Sequence, residues 1–168
     1  MSLEDEQRFR LNARRRAMDL LARREHTRQE LFHKLKTRLL AESLDYAFDG
    51  SQVIGQVLDQ LEKDNLLSDA RFIESYLTAR KNKGYGPLYI RHQLRKKDIG
   101  EYGLNVVQDV DEAQWLDNLQ ALITKRLSSN EFPQRGSKDY LKLQRFVLSR
   151  GFSGAQWQEI DKRLRADR

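Results

Sequence analysis

The segment Arg80–Ile99 reads RKNKGYGPLYIRHQLRKKDI, and it holds the signals that decide the predicted fold. Gly84 is suited to end a helix in the left-handed conformation, which glycine adopts without strain. The Gly86–Pro87 pair then starts a new helix, because proline fits the first helical turn. Ile90 and Leu94 lie four residues apart and give this helix an apolar seam. The segment therefore predicts two helices joined by a tight turn.

The same segment is strongly basic. No acidic residue lies between Glu74 and Asp98. In the second helix, Arg91 and Arg95 share one row on the helix surface, turned away from the apolar seam. Uncompensated positive charge indicates a polyanionic partner, although a solvated face without a partner gives the same pattern. The residues predicted to form this central basic surface are Arg80, Lys81, Lys83, Arg91, Arg95 and Lys96.

The composition of the 168-residue chain narrows the class of protein. Hydrophobic residues make up 39% and charged residues 33%, which suits a helical protein with a large surface for each core residue. The net charge is +6 and there is no cysteine, so disulfides, cysteine-bound zinc and thiol catalysis are excluded. The sequence shows no apolar signal region and no apolar run long enough to span a membrane. We expect a monomer in the cytoplasm.

Apolar residues recur at helical spacing along the whole chain, and no segment shows the sustained alternation of a strand. The helices group in threes, and the middle helices of the groups superpose with offsets of 59 and 53 residues. Their matching apolar pairs are Leu31/Leu35, Ile90/Leu94 and Leu143/Val147. Such a period is typical of a modular array, so we predict an all-α, elongated tandem array of three three-helix repeats. The predicted segments are an N-terminal lead-in at 1–12 and repeats at 13–66, 67–110 and 111–168.

Several helix starts are predicted from capping residues. Thr27 and Glu30 form a capping-box sequence, and Ser153 with Gln156 forms another before the last helix. Ser51 is predicted to cap the third helix. The apolar pattern of the first helix consists of Leu11, Met18, Leu20 and Leu21.

The sequence gives no support for catalysis. His26, Glu30 and His33 have a spacing that would place three metal ligands on one helix face. Thr27 as the N-cap puts His26 outside the helix, however, and no fourth ligand is evident, so an exposed polar face is the favoured interpretation. The Gly84–Gly86 turn lacks the preceding strand and the Lys-Ser/Thr pair of a phosphate-binding loop. We therefore predict a protein that is not an enzyme and has no metal or cofactor.

Further Lys and Arg residues recur on or beside the middle helices of the first and third repeats. If the repeats stack, these secondary basic clusters extend the central basic surface into a discontinuous track. Most aromatic side chains fall in apolar stripes and are expected in the core, whereas Tyr85 and Tyr89 are expected to be exposed. The secondary basic clusters consist of Arg23, Arg24, Lys34, Arg38, Lys142, Arg145 and Arg150.

Three segments of the chain resemble the bacterial RecX family, regulators of the RecA recombinase. They are HTRQELFHKL (26–35), LLSDARFIESYLTARKNKGYGPLYIRHQL (66–94) and KLQRFVLSRGF (142–152). The middle segment is the most specific, because Asp69–Phe72 is followed by Lys83–Pro87 and Ile90–Arg91 in a long ordered signature. The resemblance implies an array of three-helix repeats that lies in the groove of the RecA nucleoprotein filament and suppresses strand exchange and ATP hydrolysis. It also implies an ability to bind DNA, single- or double-stranded, and no catalytic residues.

The favoured hypothesis is a non-enzymatic regulator that inhibits the RecA filament through the central basic surface and so modulates recombination and DNA repair. One alternative is a DNA-binding protein or transcription regulator that uses a three-helix unit as a helix-turn-helix. In that case Leu88 and Tyr89 would occupy the turn where recognition helices usually present polar base-reading side chains. A structural helical adaptor, which responds neither to salt nor to RecA, is the third possibility.

Overall fold

The computed structural model describes residues 3–41, 48–97, 99–128 and 131–166. All regular secondary structure in these ranges is α-helical, which confirms the predicted all-α class, and the helices follow one another as three groups of three. They are α1 (Leu3–Leu21), α2 (Arg28–Leu40), α3 (Gly50–Lys63), α4 (Asp69–Asn82), α5 (Pro87–Lys96), α6 (Gly100–Gln108), α7 (Glu112–Leu127), α8 (Lys138–Ser149) and α9 (Gly154–Ala166).

The chain divides into two compact units, Met1–Ile73 and Glu74–Arg168. The division falls within α4. Helix α1 begins at Leu3, so regular helix also covers residues 3–12 of the predicted lead-in. The predicted repeat boundaries at residues 13, 67 and 111 stay predictions.

The core of the first unit lies between α1, α2 and α3. On α1 it is built from Phe9, Ala13 and Ala17, each at most 4% exposed. The predicted apolar pattern is wrong at Leu11 and Met18, which are 70% and 37% exposed. Small alanines let neighbouring helices approach closely, and larger side chains of α2 and α3 fill the space beside them. Those side chains are Leu31, Leu35, Leu39, Val53, Ile54, Val57, Leu58 and Leu61.

Thr27 caps α2 as predicted, since its hydroxyl oxygen accepts a hydrogen bond from the N–H of Glu30 at 3.0 Å. The neighbouring His26 is 2% exposed, so the expectation of an exposed polar face is wrong there. Its Nδ1 lies 3.0 Å from the carbonyl oxygen of Arg24, and its Nε2 lies 3.2 Å from Lys34 Nζ. A carbonyl only accepts and an ammonium only donates, so the imidazole is neutral and carries its proton on Nδ1.

Helix α3 is capped by Asp49 and not, as predicted, by Ser51. The Asp49 carboxylate accepts hydrogen bonds from the N–H groups of Ser51 and Gln52 at 2.9 and 3.3 Å. Gly50, the first residue of α3, is buried, and an added Cβ there would lie 2.6 Å from Leu40 Cδ2 and 3.2 Å from the ring of Phe9. The small residue at position 50 therefore lets the start of α3 pack closely against α1 and α2.

The second unit buries the predicted seams of both of its middle helices. Ile90 and Leu94 of α5 are 0% and 1% exposed, and Leu143 and Val147 of α8 are 3% and 0% exposed. Full burial of one such side chain contributes about 2 kcal/mol to folding. Helices α7 and α9 supply most of the remaining core, namely Trp115, Leu119, Ile123, Trp157 and Ile160.

Helix α9 begins with the predicted capping box. Ser153 Oγ accepts from the N–H of Gln156 at 3.1 Å, and Gln156 Oε1 accepts from the N–H of Ser153 at 2.9 Å. The side-chain amide nitrogen of Gln156 (Nε2) also donates to Glu112 Oε1 at 2.9 Å. The cap therefore ties the start of α9 to the first turn of α7.

The turn between α4 and α5 has the predicted geometry. Helix α4 ends at Asn82, and Gly84 follows with a φ of +76°. Gly86 is the N-cap of α5 and Pro87 occupies its first turn. The left-handed glycine and the proline together reverse the chain within a few residues.

This turn is hydrogen-bonded through its backbone to the turn between α8 and α9, and we call the two segments (83–86 and 150–152) the paired turns. Gly86 N–H donates to the carbonyl oxygen of Arg150 at 2.8 Å, and Leu88 N–H donates to that of Gly151 at 3.0 Å. A Cβ on Gly86 would lie 2.5 Å from Gly151 O, and one on Gly151 would lie 2.4 Å from the backbone nitrogen of Tyr89. Both glycines are therefore required for the close approach.

Candidate interaction surface

The central basic surface lies on the last turn of α4, the turn that follows and the outer face of α5. Because Ile90 and Leu94 face the core, Arg91 and Arg95 lie on the outer side of α5. Arg95 and Lys96 are exposed, and Arg91 is half-buried. Within the described part of the chain, no carboxylate forms an ion pair with any of the six predicted cations. Asp98, at the end of the acid-free run, lies outside the described residues.

Aromatic rings hold the arginines at the edge of this surface. The Arg80 guanidinium lies 4.8 Å from the ring centre of Tyr76 and 5.9 Å from that of Tyr85. Tyr85 stacks on Tyr89 with ring centres 4.1 Å apart and 15° between the planes, and Arg150 lies 5.0 Å from the Tyr85 ring. Each such cation–π contact contributes about 0.5–1 kcal/mol. Tyr85 and Tyr89, predicted to be exposed, are therefore half-buried.

Lys81 points from α4 toward α7. Its Nζ donates to Gln114 Oε1 at 3.3 Å and lies 5.2 Å from the ring centre of Trp115. Both contacts are with uncharged groups, so they orient the Lys81 side chain without pairing it with a carboxylate.

A basic cleft of 620 Å³ opens beside Lys81, between the end of α4, α7 and the paired turns. Its cations are Lys81 and Lys83 from the central basic surface, Lys125 from α7 and Arg150 from the turn after α8. Uncharged side chains complete the lining, and none of the described residues around the cleft is a carboxylate. The remaining lining residues are Asn82, Gly84, Tyr85, Asn118, Ala121 and Leu122.

Lys125 was not among the predicted site residues. It follows the apolar stripe of α7 and is exposed, and nothing local distinguishes it from a solvated lysine. Only the tertiary structure brings it to Lys81 and Lys83. Arg150 was predicted as part of a secondary cluster, and the paired turns place it at the central surface instead.

Two of the four cations in the secondary cluster of the first unit share one carboxylate. Glu30 accepts hydrogen bonds from the Arg24 guanidinium and forms an ion pair with Lys34 at 3.1 Å. Burial raises the pKa of Glu30, but the hydrogen bonds from Arg24 and Lys34 outweigh burial and lower the pKa to about 2. Arg23 and Arg38 are exposed. Half of the cluster is thus engaged with a carboxylate inside its own unit.

The secondary cluster of the third repeat is dispersed. Lys142 lies 3.5 Å from Asp139 in a pair that is exposed on both sides, so it contributes little. Arg145 donates to the carbonyl oxygen of Leu141, one turn earlier in α8, at 3.3 Å. Arg150 donates to the carbonyl oxygen of Lys83 at 3.4 Å. Of these three cations, only Arg150 reaches the basic cleft.

The two compact units differ in charge. Met1–Ile73 contains 13 Lys or Arg and 13 Asp or Glu, whereas Glu74–Arg168 contains 18 Lys or Arg and 12 Asp or Glu. The whole net charge of +6 therefore belongs to the second unit, which holds the central basic surface and the basic cleft.

The Asp69–Phe72 signature has a structural role. Asp69 Oδ1 accepts from the backbone N–H of Arg28 at 2.8 Å, and the Arg71 guanidinium donates to Glu25 at 3.0 Å. Phe72 is 4% exposed. These contacts join the start of α4 to the start of α2. The residues of the signature therefore serve to pack these helices together.

The regulatory protein RecX of Pseudomonas entomophila (strain L48) is 36% identical over 140 residues, which cover 83% of this chain and 83% of that protein. The chain belongs to the RecX family of regulatory proteins. A second RecX, from Pseudomonas putida (strain W619), is 38% identical over 145 residues, covering 83% of this chain and 82% of its own.

Two further comparisons agree with RecX membership. A family model described as RecX, second three-helix domain, matches residues 68–102, the region of the α4–α5 turn. A crystal structure of regulatory protein RecX superposes with a TM-score of 0.68 over 94% of this chain and 74% of that one. At 21% identity this superposition supports the fold alone. RecX family members are regulatory proteins by name, and the family resemblance read from the sequence is confirmed.

The described residues contain no group of three or more His, Cys, Asp or Glu side chains that would hold a metal ion. None of the helices in the described ranges combines the length and the apolar character needed to cross a membrane.

Proposed function

We propose that this protein is a non-enzymatic cytoplasmic regulator that binds the RecA nucleoprotein filament and inhibits its strand exchange and ATPase activity. It thereby modulates recombination and DNA repair. The observation that supports this most is the central basic surface, which remains unpaired within the described part of a chain of the RecX family.

Charge and rigidity both suit such a partner. A filament of protein wound on DNA is a polyanion, and the second unit concentrates the net positive charge. The surface stands on two helices whose connecting turn is fixed by backbone hydrogen bonds to residues 150 and 151. Binding then requires little ordering of the backbone, which lowers its entropic cost.

The helix-turn-helix alternative draws less support. The first turn of α5 offers Leu88, which is 51% exposed, and Tyr89, which is stacked on Tyr85. Leu88 has no hydrogen-bonding group, and Tyr89 is not among the Arg, Lys, Asn and Gln side chains that usually read base edges in the major groove. Binding of DNA by this chain is therefore expected to lack sequence preference.

The test is the RecA ATPase on single-stranded DNA, titrated with this protein from substoichiometric to equimolar ratios. A steep fall well below one protein per RecA is expected, because an element bound in the filament affects more than its own contact. An unchanged ATPase, with the protein folded and RecA active, would overturn the proposed function.

A further inference from the structure

Positive side chains and aromatic rings alternate along a continuous series of contacts in the second unit. In each neighbouring pair the charged group lies at most 5.9 Å from the ring centre, which is within the range of a cation–π attraction. The contacts run from the end of α5 through α4 and the paired turns to α8 and α7. We call them the cation–ring series, and its members in order are Lys97, Tyr76, Arg80, Tyr85, Arg150, Phe146 and Arg126.

Tyr85 connects the two halves of the cation–ring series. Its ring centre lies 5.9 Å from the Arg80 guanidinium and 5.0 Å from that of Arg150. The ring is itself stacked on Tyr89 at 4.1 Å, and the backbone N–H of Tyr85 donates to the carbonyl oxygen of Arg80 at 3.0 Å. Both the ring and the backbone of Tyr85 are therefore held in place, and two arginines contact this one fixed group.

The rings allow like charges to lie near one another. Among the described residues, no carboxylate forms an ion pair with Arg80 or Arg150. Two such cations repel, and their flexible side chains would move apart without another attraction. The negative face of an aromatic ring supplies that attraction and leaves the guanidinium charge unneutralised. The Tyr85 ring therefore limits the positions of both arginines while they stay available to an anionic partner.

The part of the series on α8 and α7 supports the part beside α5. The Phe146 ring centre lies 3.9 Å from the Arg126 guanidinium and 5.2 Å from that of Arg150. Phe146 is half-buried on α8 and is not a residue of the central basic surface. It is connected to that surface through Arg150, which donates to the carbonyl oxygen of Lys83 at 3.4 Å. A substitution of Phe146 therefore changes the support of Arg150 and leaves the cations of the central basic surface in the chain.

We propose that Tyr85 is a positioning residue whose ring holds Arg80 and Arg150 in the arrangement that meets the partner, with Phe146 supporting Arg150 from α8. Side chains that are fixed before binding lose less conformational entropy when the partner binds. The inference rests on the proposed function, since the partner is the RecA filament. The positions of the arginines are also measurable without RecA, so failure of the positioning role is distinguishable from failure of the proposed function.

The first measurement is the nitrogen–proton NMR correlation spectrum of the arginine Nε–H groups in the free protein. A guanidinium over a ring face is shielded, so the Arg80 and Arg150 signals are expected upfield in the wild type and in Tyr85→Phe, which keeps the ring. Tyr85→Leu is expected to move both signals toward the ordinary arginine position. Arg163, which pairs with Asp117 at 2.8 Å, is the internal reference. Unchanged Arg80 and Arg150 signals in Tyr85→Leu would overturn the proposal, whatever the result with RecA.

The second measurement is inhibition of the RecA ATPase on single-stranded DNA. Tyr85→Leu is expected to need about three- to tenfold more protein for half-inhibition, because two cation–π contacts are lost, whereas Tyr85→Phe is expected to inhibit like the wild type. Phe146→Leu is expected to act in the same direction with a smaller effect. Tyr140→Leu is the matched control, since Tyr140 is also half-buried in the second unit but packs against Phe132 and Trp157 outside the series.

Three results with RecA would overturn the proposal. The first is half-inhibition by Tyr85→Leu within about twofold of the wild type although its arginine signals have moved, since the arrangement would then not matter. The second is an equal loss in Tyr85→Phe, which would assign the effect to the hydroxyl group. The third is an equal loss in Tyr140→Leu, which would assign it to the stability of the unit.

Circular dichroism and urea unfolding establish that each variant is folded under the assay conditions. If Tyr85→Leu does not fold, Phe146→Leu serves in both measurements, with the Arg150 signal as its readout, and an unmoved signal or unchanged inhibition would overturn the proposal. An uninhibited ATPase with the wild-type protein would overturn the proposed function, and the NMR comparison would still decide whether Tyr85 positions the two arginines.

Discussion

The backbone N–H of Gly86 is hydrogen-bonded to the carbonyl oxygen of Arg150 at 2.8 Å, which joins the turn before α5 to the turn before α9. The contact requires the two backbones to approach without side chains between them. It also places the Arg150 guanidinium beside Lys83 and Tyr85, at the edge of the central basic surface. One hydrogen bond in the main chain therefore links the packing of the second unit to the layout of its charges.

Gly151→Ala is expected to destabilise the protein by about 2–4 kcal/mol, because it adds strain at a positive φ to a clash with the backbone of Tyr89. Gly151 has a φ of +85°, and its added Cβ would lie 2.4 Å from the Tyr89 nitrogen. Urea unfolding followed by circular dichroism measures the change. Gly154→Ala is the control, since nothing lies within 4 Å of a Cβ there, and it is expected to alter stability by less than about 1 kcal/mol. Equal stability of the two variants would contradict the role of the paired turns.

The double variant Arg91→Glu/Arg95→Glu is expected to abolish inhibition of RecA-driven strand exchange while helicity is unchanged. Both side chains project from the outer face of α5, so reversing their charges repels a polyanion without disturbing Ile90 or Leu94. Strand exchange with purified RecA is the measurement. Lys138→Glu/Lys162→Glu changes the net charge equally in exposed parts of the same unit, and it is expected to inhibit like the wild type. Full inhibition by the α5 variant would remove the central basic surface from the mechanism.

Stability is expected to fall as the pH decreases below about 6.5, because of His26. Burial lowers the pKa of His26 in the folded state, more than its hydrogen bond to the Arg24 carbonyl raises it. Below the unfolded-state pKa the unfolded chain binds the extra proton more readily than the folded chain. Protonation in the folded state would also direct an N–H at Lys34. Urea midpoints measured between pH 7 and pH 5 should show a smaller slope in His26→Gln than in the wild type, and identical slopes would refute this account.

Glu30 is expected to govern the pH dependence of folding stability in a second, more acidic range. Its pKa of about 2 lies below the ordinary value of 4.5, so its ionised form stabilises the fold above pH 4.5, and this contribution is lost as the pH falls toward 2. The shift corresponds to at most about 3 kcal/mol. Glu30→Gln is expected to lower stability at pH 7 by about 1–3 kcal/mol and to flatten the pH dependence between 4.5 and 2. Denaturant unfolding at several pH values measures both effects.

Asp59→Asn is the matched control for that experiment. Asp59 pairs with Arg28 at 2.6 Å, but its side chain is 56% exposed, whereas that of Glu30 is 21% exposed. An exposed pair contributes less than about 1 kcal/mol, so the control is expected to lower stability at pH 7 by less than that amount. A Glu30→Gln variant as stable as this control at pH 7 would show that the cluster around Glu30 is dispensable.

Local signals in the sequence predicted most of the fold. The Gly84 and Pro87 turn, the Thr27 cap and the Ser153–Gln156 capping box each depend on residues close in the chain, and the structure confirms all of them. Family membership was likewise readable from short ordered segments.

Features set by tertiary packing were not predictable in this way. Leu11 is more hydrophobic than Ala13, yet Ala13 faces the core, because helix α1 is rotated to place small residues where its neighbours approach. Asp49 and Ser51 are both suitable caps and lie two residues apart, and in the folded protein the Asp49 carboxylate caps α3. No local sequence pattern predicts which residues of α1 face the core or which of the two candidates caps α3.

The candidate site also has one part that was predictable from the sequence and one part that depends on tertiary packing. The acid-free run from Arg80 to Lys96 was visible in the sequence, and the structure adds that it is left unpaired among the described residues. The basic cleft was not visible, because Lys125 and Arg150 reach it only through the packing of α7 and through the paired turns.

The uneven division of charge between the two units also has a kinetic consequence. A unit without net charge experiences only a weak force in the field of a distant polyanion, whereas a unit with a charge of +6 is attracted by it. A polyanion would then meet the second unit more often than the first, which raises the fraction of collisions that lead to binding. Since this steering reaches only about 8 Å at physiological ionic strength, the association rate would fall with added salt before the dissociation rate changed.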